Sequence, residues 1–383
     1  MRLLSLLVAA ASLCAAAPKK PEVKPAVEPK FPRPNEAKVY AHDPNVIYDG
    51  GYYHLFKGGV HVSWWRAKEL DGKWEDMGHL LEGDSIIPNK QNATRPWAPS
   101  VIKYGDTYYC YYTLSGRGKR DSAIGVATTD KLEKGKYWKD HGAVVQSGTG
   151  AGSGIFPFTE ANTIDGSIYI DKDQAYLIFG SFFGGIWQVP LSKDMKSLKD
   201  PKKPGAVKLA HTGEKRSDIE GAFMTHNDGY YYLWFSRGEC CHFEDDLSPT
   251  FGGKDAEPYS IRVARSKKVT GPFEDHDGKK TTEGGGHKVY ATNHDNEVFA
   301  PGGLGVINGR DGKPDILYYH YFNAKVSLKH AEARLGYSTL RYVKGWPIVN
   351  KPEKKKGELL FSALLTQFFI VTRTWIFNMF IFL

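Results

Sequence analysis

Three carboxylates stand out by where they sit. Asp43 lies in His42-Asp43-Pro44-Asn45, Asp165 in Asn162-Thr163-Ile164-Asp165-Gly166-Ser167, and Glu220 in Asp218-Ile219-Glu220-Gly221-Ala222-Phe223. Each stands at the start of an apolar stretch, beside Gly or Pro. One such acid alone reads as a turn cap. Three in matching settings read as a site. Glycosidic cleavage needs two carboxyl groups across a cleft. One protonates the leaving oxygen and the other activates water, the two being about 6.5–9.5 Å apart in inverting enzymes. A third acid nearby keeps the donor protonated, because like charges in one cavity resist ionising together.

Such a trio needs a scaffold that repeats. A turn followed by an aromatic strand recurs five times: Asp49–Phe56, Gly105–Tyr112, Asp173–Phe179, Asp228–Phe235 and Asp315–Tyr321. The copies are roughly 66 residues apart on average. A second strand follows each one, over 60–63, 123–127, 185–189, 260–264 and 334–338. Alternating β-branched and aromatic residues bounded by Gly and Asp indicate strands, and no long stretch of 37–349 keeps a helical period. Five units of about four short strands each predict an all-β, five-bladed β-propeller. A pair of β-sandwiches is the weaker alternative, since sandwiches do not repeat one unit five times.

The chain has 51 Lys+Arg and 43 Asp+Glu, a formal +8. Most of that excess lies at the ends. Residues 37–349 hold 40 basic and 38 acidic residues, so the body carries no stripe for nucleic acid. Residues 1–16 read as a secretory signal, with Arg2, an apolar Leu3–Leu13 and the small Cys14-Ala15-Ala16 cleavage site. Residues 17–36 form a Pro/Lys-rich spacer. Residues 350–383 form a Lys-rich linker and an apolar tail of doubtful status, with Arg373 splitting the apolar run. The expected location is therefore extracellular, with membrane anchoring by 359–383 as the lesser alternative. Without Cys14, three cysteines remain: Cys110, Cys240 and Cys241. The adjacent pair is a candidate vicinal disulfide; the alternative is three plain thiols. No paired-Cys spacing suggests zinc.

The five-fold unit, His42-Asp43-Pro44, Trp97-Ala98-Pro99, Asn162-Thr163-Ile164-Asp165 and Ile219-Glu220-Gly221 together resemble glycoside hydrolase family 43 over roughly residues 38–349. The resemblance implies a secreted, inverting, five-bladed glycosidase acting on α-L-arabinosyl linkages of plant cell-wall arabinan, with endo-1,5 cleavage expected. It implies Asp43 as general base, Glu220 as general acid and Asp165 as the carboxylate that tunes and orients the acid. It also points to Asp43, Trp97, Asn162, Thr163, Ile164, Asp165, Ser181, Phe182 and Phe183 as substrate-binding residues, with Trp97 and Phe183 as walls against sugar faces. His42 and the Cys240-Cys241 pair point to arabinanases and close arabinosidases.

No cofactor is required for this chemistry, and no metal ligands are assigned. Some relatives hold a structural calcium through a His in the last blade; here Gly303 occupies that position. Either the ion is absent, or another group such as His294 or water substitutes. Gly166 and Ala222 stand where Pro is common in the family. A monomer acting on a neutral plant polysaccharide, arabinan or arabinoxylan, is expected, with no nucleic-acid partner. The alternatives are an exo-acting α-L-arabinofuranosidase or β-xylosidase and a catalytically inactive carbohydrate-binding propeller.

Overall fold

The computed structural model describes residues 31–214, 217–243, 247 and 257–352. The signal reading of 1–16, most of the spacer and the apolar tail lie outside the described residues. No helix among the described residues is long and apolar enough to cross a membrane.

Each aromatic repeat forms the second strand of an antiparallel sheet, four-stranded in the first four blades and five-stranded in the last. These strands are β3 (Tyr52–Lys57), β7 (Thr107–Leu114), β11 (Gln174–Ser181), β15 (Tyr230–Arg237) and β19 (Ile316–Phe322). On one side of them lie the inner strands β2 (Asn45–Asp49), β6 (Trp97–Tyr104), β10 (Ser167–Asp171), β14 (Ile219–Asn227) and β18 (Phe299–Ile307). On the other side lie the third strands β4 (Ser63–Ala67), β8 (Ala123–Thr129), β12 (Gly185–Pro190), β16 (Ser260–Ser266) and β20 (Arg334–Val343). The inner strands touch one another in sequence order, and β18 returns to β2. The architecture is a five-bladed β-propeller, as the repeat predicts.

The second strands are apolar on both faces because both faces are buried. Along β7, Tyr108, Cys110 and Tyr112 pack with Phe56 and Trp64 of the first blade. Tyr109 and Tyr111, pointing the other way, pack with Leu177, Phe179 and Trp187 of the third. Similar clusters join the third and fourth blades, the fourth and fifth and the fifth and first. No blade could bury either face alone.

Closure uses both chain ends. Two strands share the outer edge of the last blade: β1 (Asn35–Tyr40) pairs with one half of β20, and β21 (Trp346–Val349) with the other. Residues 31–36, which the sequence assigns to the spacer, thus belong to the packed body. Phe31 packs on Tyr290, and Pro32 accepts the Tyr290 hydroxyl. Ala37 is fully buried, and its carbonyl accepts the Trp74 indole N–H of the first blade at 2.8 Å. Deleting residues 35–40 should therefore loosen the whole ring. We expect a loss of about 3 kcal/mol or more, a fall of roughly 6–12 °C in Tm, readable by calorimetry. An unchanged Tm would mean that β21 alone closes the ring.

Candidate active site

Each inner strand opens with the same backbone twist. Asp43, Ala98, Asp165, Gly221 and Ala300 all have positive φ, between 38° and 59°. Pro44, Pro99, Gly166, Ala222 and Pro301 follow them. A left-handed non-glycine residue costs roughly 1 kcal/mol, least for Asp and Asn. The cost recurs because this twist turns the chain into the channel, and five such starts converge on one pocket. Asp43, Asp165, Gly166, Gly221, Ala222 and Gly303 line it.

Two of the three carboxylates sit on these twisted residues, and Glu220 sits one residue before Gly221, the fourth of them. The Asp165 backbone N–H donates to Thr113 Oγ1 at 3.0 Å, anchoring it to the second blade. Its carboxyl accepts the Gly221 N–H. Glu220 is 8% exposed and accepts a hydrogen bond from the Tyr259 hydroxyl. Asp43 keeps about a third of its side chain open, at 31%. Its N–H donates to His320 Nδ1 at 3.1 Å, and its Oδ2 lies 3.1 Å from His42 Nδ1. The rings of His330, His42 and His320 stack, with centroids 3.9 Å apart at each step.

The electrostatics separate the carboxylates. Burial, then repulsion from Glu220 and Asp43, pushes Asp165 well above the ordinary carboxylate range. Burial pushes Asp43 up too, but His42, by charge and hydrogen bond, and His320 beside the carboxyl outweigh it and hold Asp43 well below that range. Burial lowers His42 and takes His330 down to about 4. Asp43 is thus an ionised acceptor, and Asp165 is a carboxyl that retains its proton.

The other expected contacts divide into two groups. Trp97, at the start of β6, is part-exposed, as is Phe182; Phe183 is 43% exposed. Asn162, Thr163, Ile164 and Ser181 are buried below the pocket. Asn162 accepts from Ser122 and donates to Ser181, while Thr163 donates to the Ser122 carbonyl. These hydrogen bonds hold the segment that leads into Asp165. His294, the candidate calcium substitute, sits against residues 31 and 32 instead.

Sequence reasoning missed His320, Tyr259 and Ser236. Ser236 faces Glu220 across β14–β15 and accepts the Gly303 N–H at 2.9 Å. A polar His320 within the apolar run Tyr318–Tyr321, fully buried, was the available signal.

The sequence profile described as Glycosyl hydrolases family 43 matches residues 37–347, nearly the whole described ring. The chain belongs to glycosyl hydrolase family 43. It is accordingly a glycosidase. A relative from Emericella nidulans, named "Probable arabinan endo-1,5-alpha-L-arabinosidase D", is 46% identical over 332 residues, covering 86% of this chain and 85% of that one. A second from the same organism, "Arabinan endo-1,5-alpha-L-arabinosidase B", is 41% identical over 350 residues, covering 83% and 85%. The Cellvibrio cellulosa alpha-L-arabinanase in complex with arabinohexaose superposes with a TM-score of 0.68 at 26% identity, covering 82% and 96%.

The family's calcium can be tested against this chain's residues. A Cβ at Gly303 would lie 2.4 Å from Asp43 Oδ1 and 2.6 Å from His320 Nδ1. No side chain fits there, and a histidine reaches the spot from the facing strand instead. His42, Asp43 and His320 form a cluster with metal-ligating atoms, offering two ring nitrogens and one carboxylate. Calcium takes six to eight oxygens, so these residues alone make no calcium cage. No step below runs through an ion.

The raised pKa of Asp165 has a stability consequence. A group raised in the folded state contributes stability below its unfolded pKa and loses it as pH rises. Asp165→Asn removes that liability. At pH 7 the variant should gain on the order of 1 kcal/mol in stability, and the gain should vanish near pH 3, while turnover falls. Matched urea titrations at the two pH values check this. A loss of stability at pH 7 would show that the Asp165 carboxylate is stabilised there.

Proposed function

We propose that this family 43 glycosidase hydrolyses α-1,5-linked L-arabinosyl chains of plant arabinan with inversion, cutting within the chain. The carrying observation is that Asp43, held low by its histidines, and Asp165, pushed up by burial and by Glu220 and Asp43, line a single pocket where the five inner strands begin. In this reading Asp43, open to water and held ionised, takes the proton from the attacking water. Glu220 gives its proton to the leaving oxygen. Asp165, bonded to the Gly221 N–H, orients the acid, and repulsion between the two carboxyls keeps one proton on the pair. Trp97, Phe182 and Phe183 supply apolar faces for sugar rings.

The substrate rests on the names of the relatives, which are arabinan endo-1,5-alpha-L-arabinosidases. A near-neutral body, with 40 basic and 38 acidic residues over 37–349, suits a neutral polysaccharide. Work outside the cell is supported by the leader and by the Cys240–Cys241 disulfide, a bond favoured in oxidising compartments. Exo action is the second reading, because a structural neighbour at 25% identity and a TM-score of 0.69 is described as an exo-1,5-alpha-L-arabinanase.

Linear arabinan should release oligomers before monomer, read by chromatography. Release of arabinose or arabinobiose alone from the outset would establish the exo reading instead. Asp43→Asn and Glu220→Gln should each lower kcat by about 10³-fold or more, with fold and substrate binding kept. A near wild-type rate in either variant rejects its assigned role.

A further inference from the structure

Tyr259 lies outside every motif considered above, yet it touches both halves of the proposed machinery. Its hydroxyl donates to Glu220 Oε1. Its ring stacks on His320 at 5.9 Å and 27°, and His320 accepts the Asp43 backbone N–H. The residue is 3% exposed. A Cβ at Gly302 would come within 2.2 Å of its ring, so the ring lies directly against the Gly302 backbone. Its own backbone N–H is held by the Glu239 carbonyl at 2.8 Å.

We propose that Tyr259 is the positioning residue of the general acid: it occupies Oε1 of Glu220, so that the transferable proton resides on Oε2, and it fixes that carboxyl relative to the Asp43 side of the pocket. This rests on Glu220 being the acid. A hydroxyl can satisfy only an oxygen that bears no proton of its own in that direction. Burial, and after it the carboxyl groups around it, Glu220 first, hold the phenol well above its ordinary range. Tyr259 is therefore a donor in every state of the cycle. When Glu220 releases its proton to the leaving oxygen, the acceptor becomes a carboxylate and the same hydrogen bond becomes charge-assisted and stronger. The contact thus gains strength as the proton departs, which is the condition for lowering a barrier rather than only binding substrate.

The test compares Tyr259→Phe with wild type and Glu220→Gln on arabinan and on phenyl and 2,4-dinitrophenyl α-1,5-L-arabinobiosides. Phe keeps the ring and its stacking on His320. On arabinan and the phenyl glycoside, Tyr259→Phe should lower kcat about ten- to a hundredfold, with KM within about twofold. On the dinitrophenyl glycoside, whose leaving group needs no proton, the loss should shrink to about twofold or less. The basic limb of its pH profile should move to higher pH, because a carboxylate that loses a donor holds its proton more tightly. Equal losses on all three substrates with an unmoved basic limb would overturn the proposal and leave Tyr259 a packing residue. So would wild-type kinetics. Glu220→Gln separates this from the underlying reading: if that variant still cleaves arabinan at the wild-type rate, the acid assignment itself falls. If it is inactive on arabinan while Tyr259→Phe is unaffected, only the Tyr259 inference fails.

Discussion

Repulsion among three carboxyl groups at one end of a narrow channel is the interaction that the rest of this structure must offset. Left alone, Asp43, Asp165 and Glu220 would share one charge poorly and splay apart. The fold answers with a different partner for each. Asp43 is held ionised by His42 and His320. Asp165 keeps its proton and accepts one backbone N–H. Glu220 receives the Tyr259 hydroxyl. The partners come from the first, fourth and fifth blades, so the balance exists only when the ring is closed. That makes the outer edge of the last blade, shared by β1 and β21 far from the pocket, a condition of the chemistry.

The recurrent left-handed start of the inner strands is the local expression of the same demand. A plain strand would lay its side chains alternately along the blade faces. The positive φ at Asp43 and Asp165 breaks that alternation and aims a carboxyl into the channel. The same left-handed start at Ala98 and Ala300 carries no carboxyl, so the device belongs to the fold, and only some of its five copies bear an acid. Pro44, Pro99 and Pro301 stiffen the next residue. Gly166 and Ala222 occupy that place in the other two blades, and the twist persists at both, with φ of 55° at Asp165 and 59° at Gly221.

What was legible in the sequence was what repeats. Strands buried on both faces leave aromatic runs at a fixed interval, and carboxylates in register with that interval announced themselves. What was not legible comes from chain distant in sequence. Tyr259 follows a long excursion after β15, and its partner is Glu220, on a different strand. Asn35 and Glu36, which open β1, read as spacer because an edge strand presents mostly polar residues, and only Ala37 among its six is buried. Asn162, Thr163 and Ser181 were legible as important but not as buried, since a polar residue that supports a site and one that touches substrate look alike in sequence.

Position 303 shows why the two kinds of information must be read together. A glycine where a histidine was expected reads, in one dimension, as a lost ligand. In three dimensions the absent side chain is space already filled: Asp43 Oδ1 and His320 Nδ1 crowd the place where a Cβ would be. Gly302, opposite His320 in the β18–β19 register, gives its own space to the Tyr259 ring. Two adjacent glycines thus admit an imidazole beside Asp43 and a phenol beside Glu220. The space beside Gly303 is taken within the same blade, by a histidine on the facing strand.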